Sequence, residues 1–336
     1  MPDNFMLCHT VALGKPMIHF VYAFPPDTQE IHSPHCITRN LYNFLKTKAD
    51  VKYYDWGQHG VADVGANDIF IGHPHYDTNT ITQRTIREKT CKLMCTIHPL
   101  HTALPQHNIP FDDLARKVDK IFSICGPYWY DTINETEFKH WKPKITRLDM
   151  AVDGNHFPFV RKKFNPIGSR KLVYIGSNAV MKNVDHLTSI MRQMPDVRLH
   201  WYGGDGAHSL ARLPNVDTTG WVHLGSEMAK QIVDECDIFV NVSNSDANPT
   251  TLLESMAWGT ILSCTKQSGY WKDPLFTELF TDSVEASVEN IRKLLNAPDE
   301  ELMARAIAGR KEVETKYTWS NFCSKIWDEL EPYVTT

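Results

Sequence analysis

The stretch Asp237-Ile-Phe-Val-Asn-Val-Ser-Asn-Ser-Asp-Ala-Asn-Pro-Thr-Thr-Leu-Leu-Glu-Ser-Met-Ala-Trp-Gly-Thr-Ile261 reads as a strand, a polar loop and a helix, in that order. Ile238–Val242 is a short, mostly apolar run, as in a buried strand. Ser243 to Asn248 interrupt it. Pro249 then marks a helix start, where proline's missing N–H costs nothing. The backbone N–H groups around Thr250 and Thr251 would lie unpaired at a positive helix end, a ready site for a phosphate. Glu254 follows one turn later, where its carboxylate can reach a group beside that phosphate, such as ribose hydroxyls. Asp246 stands in the preceding loop, placed to accept hydrogen bonds from a sugar.

The same alternation of short apolar runs and helical patterns extends over the chain, which predicts an α/β fold. Before Pro25-Pro26 the strand candidate is Met17–Phe24, followed by a helix opening at Ser33-Pro34. Further strands are predicted at 51–56, 68–72, 92–97 and 120–125. Right-handed crossovers between such units give a parallel sheet. The pattern changes over 155–171, where two prolines, a glycine and five basic residues read as a linker. A second series then has strands at 171–175, 198–202, 238–242 and 260–263, and helices starting near Asn183, Ser226 and Pro249. A helical tail is expected over 298–317, with a last helix from about 320 to 333. Ligands of such sheets sit at the carboxyl ends of the strands. Two facing sheets therefore place the site in the cleft between them.

Composition bounds the reading. A chain of 336 residues suggests two domains. Its apolar share of 42% and charged share of 22% fit a globular protein. A net charge of −5 excludes a generally basic nucleic-acid binder. Histidine is plentiful, with 12 of its 16 copies before residue 168, so neutral-pH titration is expected mainly in the first half. No run approaches a membrane span, and Met1–His9 lacks the form of a secretory signal. The eight cysteines are expected as reduced thiols. Together these predict a cytoplasmic protein. The basic run Arg161-Lys162-Lys163, read as a solvated linker, allows at most a peripheral membrane contact.

Several segments, in order, resemble retaining, nucleotide-sugar-dependent glycosyltransferases of family 4, in the group 1 class with the GT-B fold. Asp246-x7-Glu254 with Ser255-Met-Ala-Trp-Gly259 is similar to the family's Glu-x7-Glu region. Tyr174-Ile-Gly176-Ser177 through Lys182 resembles the strand and loop carrying the donor-phosphate lysine. Leu199-His-Trp-Tyr-Gly-Gly204 resembles the next strand and its glycine turn. Asn215–Val222 resembles the segment leading to the nucleobase pocket, and Lys316-Tyr-Thr-Trp319 the motif before the final crossing helix. Met150-Ala-Val-Asp153 with Phe157 resembles the end of the family's first domain. Thr96-Ile-His98-Pro resembles the segment whose histidine faces the donor sugar. Two positions depart. Aspartate at 246 replaces the usual glutamate, and Ser177 stands where arginine is common, so Arg170, Lys171 or a histidine would have to supply the second phosphate cation.

The resemblance implies two Rossmann-like domains facing across a cleft: an acceptor-side domain over 1–158 and a donor domain over 159–318. Residues 319–336 would form a helix crossing back to the first domain. It implies transfer of a sugar from a UDP- or GDP-linked donor to an acceptor hydroxyl, with retention and without a metal or other cofactor. His98, Lys182, Asp246 and Glu254 are the expected catalytic set. Donor contacts are expected from Gly176, Ser177, Lys182, Gly204, Trp221, Val222, Asp246, Asn248, Pro249, Thr250, Thr251 and Glu254. His73, His75 and His98, at strand ends, are assigned to the acceptor side. The acceptor stays open among a glycan, a lipid-linked sugar, a protein, a small molecule and a modified base, and no stable nucleic-acid binding is expected. The alternatives are a non-catalytic homologue that binds a nucleotide sugar or a partner, and a sugar-nucleotide epimerase.

Overall fold

The computed structural model describes residues 15–99, 111–204, 206–222 and 226–335. Its first sheet contains β1 (Ile18–Tyr22), β2 (Val51–Asp55), β3 (Ile69–Gly72), β4 (Leu93–Pro99), β5 (Lys120–Ile124) and β6 (Ile145–Leu148). Their spatial order is β2-β1-β3-β4-β5-β6, all parallel. The second sheet contains β7 (Leu172–Ile175), β8 (Leu199–Tyr202), β9 (Val216–Thr219), β10 (Ile238–Asn241), β11 (Ile261–Thr265) and β12 (Phe276–Leu279). Their order is β12-β11-β10-β7-β8-β9, again all parallel. Strands β1, β3, β7 and β10 are buried along their whole length. Helices on both faces of a parallel sheet demand such apolar strands.

Each sheet reverses its winding once. The first turns between β1 and β3, the second between β7 and β10. Such a switch point opens a crevice beyond the carboxyl ends of the two strands, which is where ligands of open α/β sheets bind. The helices that flank the crevices are α1 (Ser33–Lys46) and α7 (Thr250–Trp258). The others are α2 (Ile81–Glu88), α3 (Phe111–Lys117), α4 (Gly126–Thr132), α5 (Val184–Gln193), α6 (Ser226–Glu235), α8 (Val284–Leu295), α9 (Asp299–Thr315) and α10 (Trp319–Val334).

One buried apolar cluster runs through both domains, joining Phe20, Leu41 and Ile71 to Leu252, Met256 and Trp258. Helix α10 completes it with Phe322, Ile326 and Leu330. Glu329 of this helix pairs with Lys120 of β5 and accepts from the Thr146 hydroxyl of β6 at 3.0 Å. The chain therefore ends by packing on its first domain, as expected. The seven described cysteines are free. Among the described residues no helix is long and apolar enough to cross a membrane.

The linker differs from the expectation. Lys162 and Lys163 are exposed, but Arg161 is only 5% exposed. Its guanidinium donates to the carbonyls of Gly259, Val233 and Cys236 at 3.2, 2.8 and 2.7 Å. Those carbonyls lie at the C-terminal ends of α7 and α6, where acceptors are left over and a cation is favoured. Arg170 does the same for α8, donating to Leu294, Leu295 and Ala297. Both arginines therefore serve helix ends and do not face the cleft.

Candidate active site

The loop after β10 carries the most site residues, and contacts from three directions fix it. The Asp246 N–H donates to the Gln267 carbonyl at 3.0 Å, and the Asn244 N–H to the Met181 carbonyl at 3.1 Å. The Trp129 indole N–H, from the first domain, donates to the Asp246 carbonyl at 2.8 Å. Asn248 takes a left-handed φ of 65°. Its side-chain oxygen accepts from the Met150 N–H, again across the domain boundary. Pro249 turns out to be the N-cap, with Thr250 as the first helical residue.

Lys182 ends a short turn over Val180–Lys182 after β7. The Asn183 side chain behind it donates to the Val242 carbonyl at 3.2 Å. This stitching brings the Lys182 ammonium against the Asp246 carboxylate, in an ion pair. The Ser243 hydroxyl lies 3.5 Å from the same carboxylate oxygen. Residues 64 apart in sequence thus meet beside the first turn of α7.

Two neighbouring cavities fill the cleft. The smaller, about 300 Å³, lies between the start of α1, with His32 and Ser33, and the second-domain residues Gly203, Trp221, Val222 and Glu254. The rings of His32 and Trp221 are 5.7 Å apart, although Trp221 stays 70% exposed. Glu254 is 7% exposed, and burial pushes its carboxyl up to about 7, partly offset by a hydrogen bond with the Thr250 hydroxyl. A buried carboxylate that meets this cost beside a cavity is suited to accept hydrogen bonds from a ligand's hydroxyls.

The larger cavity, about 550 Å³, joins the two switch points. Lys182, Asp246 and Asn248 line one side, and Tyr22, Trp56 and His73 the other. Thr250, Thr251 and Gly176 border both cavities. The first turns of α1 and α7 therefore open onto the same space, so unpaired N–H groups from two helices face it. Among the described residues no cluster of three or more His, Cys, Asp or Glu side chains could hold a metal ion.

Several expected site residues sit elsewhere. His98 is 2% exposed, its ring 4.0 Å from that of Phe111 in α3. Neighbours on a strand point to opposite faces, so Pro99 borders the cavity while His98 lies under the covering helix. His75 is buried, accepts from the Asp77 N–H at 3.0 Å and borders neither cavity. Ser177 is exposed outside both. Gly204 is buried under Trp201 and Thr218, and Gly203 is the glycine at the cavity. Arg170 and Lys171 lie at the amino end of β7, a strand's length from Gly176, so neither supplies the second cation. His32, Tyr22 and Trp56 were not singled out from the sequence. His32 and Trp56 join the site from loops of the first domain and Tyr22 from the end of β1, with no local spacing to announce them.

Residues 169–297 match the family model described as Glycosyl transferases group 1. No curated protein matches the chain. Among solved structures, sucrose-phosphate synthase from Thermosynechococcus elongatus is similar with a TM-score of 0.69 at 10% identity, over 96% of this chain and all of the other. An alpha-glucosyltransferase in complex with UDP and a 13-mer DNA containing a HMU base reaches 0.59 at 15% identity, over 96% of this chain and 100% of that one. The pneumococcal O-GlcNAc transferase GtfA, in complex with UDP and GlcNAc, reaches 0.57 at 15% identity, over 81% of this chain and 58% of that one. With two parallel sheets meeting at their switch points and a last helix returning to the first, the chain has the GT-B fold, and residues 169–297 of its second half are similar to the group 1 glycosyl transferases.

Proposed function

We propose that the protein transfers a sugar from a nucleoside diphosphate sugar to an acceptor hydroxyl, with retention of configuration and without a metal. The observation that carries this is the convergence of Lys182, Asp246, the first turn of α7 and buried Glu254 on one cleft. The diphosphate lies against the N–H groups of Thr250 and Thr251, and the ribose hydroxyls meet Glu254. The base lies beside Trp221 and Val222. Lys182 exchanges its Asp246 partner for the departing phosphate, which leaves Asp246 free to hold the sugar. As the bond from the sugar's anomeric carbon to the phosphate oxygen breaks, the acceptor oxygen bonds to that carbon from the same face. The acceptor's proton passes to the leaving phosphate. Lys182 and the helix N-terminus stabilise the charge that develops there, which is electrostatic catalysis by groups already in place. Positive charge for the diphosphate comes from the chain itself, which supports turnover in the presence of a chelator.

Two of the structural neighbours named above are complexes with UDP, which makes UDP the first nucleotide to test. UDP and UDP-glucose are expected to raise the melting temperature, with GDP as the comparison, since a ligand of the folded state stabilises it. Lys182→Ala is expected to lower kcat by about 10²-fold, in the range for removing one transition-state stabiliser. No melting shift with any nucleotide, or unchanged product formation by Lys182→Ala, would overturn the assignment. Product anomers read by NMR test retention.

A further inference from the structure

A further cavity, of about 620 Å³, lies behind the cleft, where the chain passes between the domains. Pro127, Arg147 and Asp149 line it from the first domain, and the loop 270–275 with the last turns of α9 from the second. Asp149 borders this cavity while its neighbour Met150 borders the cleft, so the two spaces lie on opposite sides of one chain segment. The Val152 N–H donates at 3.1 Å to the carbonyl of Tyr317, which also lines the cavity. The cavity therefore sits at the hinge.

Four cationic and three carboxylate side chains line it. Every carboxylate already has a partner. Asp149 pairs with Arg147 at 3.1 Å and with Lys325 at 3.5 Å. Asp273 and Glu312 share Lys316, at 3.1 and 3.3 Å. Among the described residues Lys272 and Lys311 form no ion pair, and both are exposed. Lys272 also holds a left-handed φ of 60°, which lysine rarely takes. Its ammonium lies 4.0 Å from the centroid of the Trp271 ring, and that ring meets the Tyr128 ring of α4 edge-on at 5.5 Å. Strain of this kind persists where the surroundings over-determine it, and it gathers at ligand clamps and switch regions. A cavity of this size, with two ammonium groups that have no carboxylate, suits a small anion whose oxygens accept several hydrogen bonds at once. A phosphate group has this form.

The loop that forms one wall of this cavity also holds the start of α7. The Tyr270 hydroxyl donates to the Pro249 carbonyl at 3.1 Å, at the N-cap of that helix. The Asn248 N–H donates to the Ser268 carbonyl at 3.1 Å. A ligand that shifts this loop shifts the first turn of α7 with it.

We propose that the hinge cavity is an effector site for a small phosphate-bearing anion, held by Lys272, Lys311 and Arg147, whose binding changes nucleotide affinity through Tyr270. The anion site is independent of the transferase reading, and the coupling rests on it.

The test is calorimetric titration of the full chain with inorganic phosphate, pyrophosphate and glycerol 3-phosphate, with and without saturating UDP. At least one of these probes is expected to bind. Lys272→Asn keeps a residue that tolerates the left-handed backbone, and combined with Lys311→Gln it is expected to weaken that probe about tenfold. Lys182→Ala, altered only in the cleft, is expected to leave the probe's affinity unchanged. The bound probe is expected to change the Kd for UDP by about fivefold or more, and UDP to change the probe's Kd by the same factor. Tyr270→Phe is expected to keep probe binding and lose most of that coupling. Binding by none of the probes, unchanged affinity in the double variant, or loss of binding in Lys182→Ala would each overturn the anion site. A UDP affinity indifferent to the probe, or coupling undiminished in Tyr270→Phe, would overturn the effector role. Failure of the donor reading shows separately, as no heat with UDP while the probe still binds and still weakens in the double variant; the effector role then falls and the anion site stands.

Discussion

Glu254 is one turn into α7 and nearly enclosed, and its acidity follows from that position. Burial raises its pKa from an ordinary 4.5 to about 7. Between those values the folded chain holds a proton that the unfolded chain has released. Its contribution to stability therefore falls as pH rises from 4.5 to 7 and is level above that. Ligand binding runs the other way, since ribose hydroxyls donate best to the ionised carboxylate. UDP-glucose has no group of its own titrating near neutrality, so its affinity is expected to climb with pH, by up to about tenfold per unit below 7. Glu254→Gln is expected to flatten both profiles, measured by calorimetric titration and by melting temperature over pH 5 to 9. An unchanged affinity slope in the glutamine variant would remove Glu254 from the ribose site. That Glu254, Asp246 and Thr250 border one cleft was legible in the sequence because each stands a short distance from a strand end or helix start, whereas Lys182 was legible only through the family resemblance. Tyr22, Trp56 and His32 were not, because only the strand order brings them together. The crowding of histidines in the first half was legible as a count, yet its meaning was not. Burial lowers the pKa of His19, His35, His73 and His75, so the titration of these four moves to lower pH.

At the scale of elements, the buried arginines decide how helices end. Arg161 joins the C-terminal ends of α6 and α7 through three carbonyls and lies 3.6 Å from Asp237. Burial pushes its pKa down to about 10, which still leaves it charged at neutral pH. Arg161→Met keeps the volume and removes every donor, leaving buried carbonyls without partners. An expected loss of about 3 kcal/mol, read from denaturant unfolding, follows from that penalty. A loss under about 0.5 kcal/mol would return Arg161 to the solvated linker the sequence suggested. A run of three basic residues gives no sign that its first member turns inward, since the helix ends it serves lie roughly 70–100 residues away in sequence. Three outer strands, β6, β9 and β12, also went unmarked as strands, as did α8. Each of these strands has four residues with polar ones among them. That is too short for an apolar period to register, and an edge position relaxes the need for one. The central strands were found within one or two residues because burial on both faces makes them apolar throughout.

For the whole molecule, the cleft has value only if its two walls are held in register, and a small pivot does this. Gly126 starts α4 with a φ of +60°, and a Cβ there would lie 2.5 Å from the Gly269 carbonyl oxygen. That oxygen accepts from the Tyr128 N–H at 3.3 Å, so backbone meets backbone across the domain boundary. Within a few residues Trp129 and Met150 of the first domain hold Asp246 and Asn248 of the second. The pivot and the loop that carries Asp246 are thus one construction, and the angle between the domains is coupled to the position of Asp246. Gly126→Ala cannot be absorbed by a side-chain rotation, because the clashing atom is backbone and the φ is unfavourable to a residue with a Cβ. The domains must part, or the loop must shift. Either displaces the first-domain wall of the cleft from the second-domain wall by a fraction of an ångström or more, and misplacement of reacting groups by about 1 Å costs on the order of 10²-fold in rate. Transfer to an acceptor is therefore expected to fall by about 10²-fold in Gly126→Ala. The melting shift with UDP is expected to persist, because Thr250, Trp221 and Glu254 all belong to the second domain. Equal losses of nucleotide binding and turnover would show instead that the pivot supports the donor domain itself, and unchanged turnover would show that the cleft tolerates a wider angle than this contact implies.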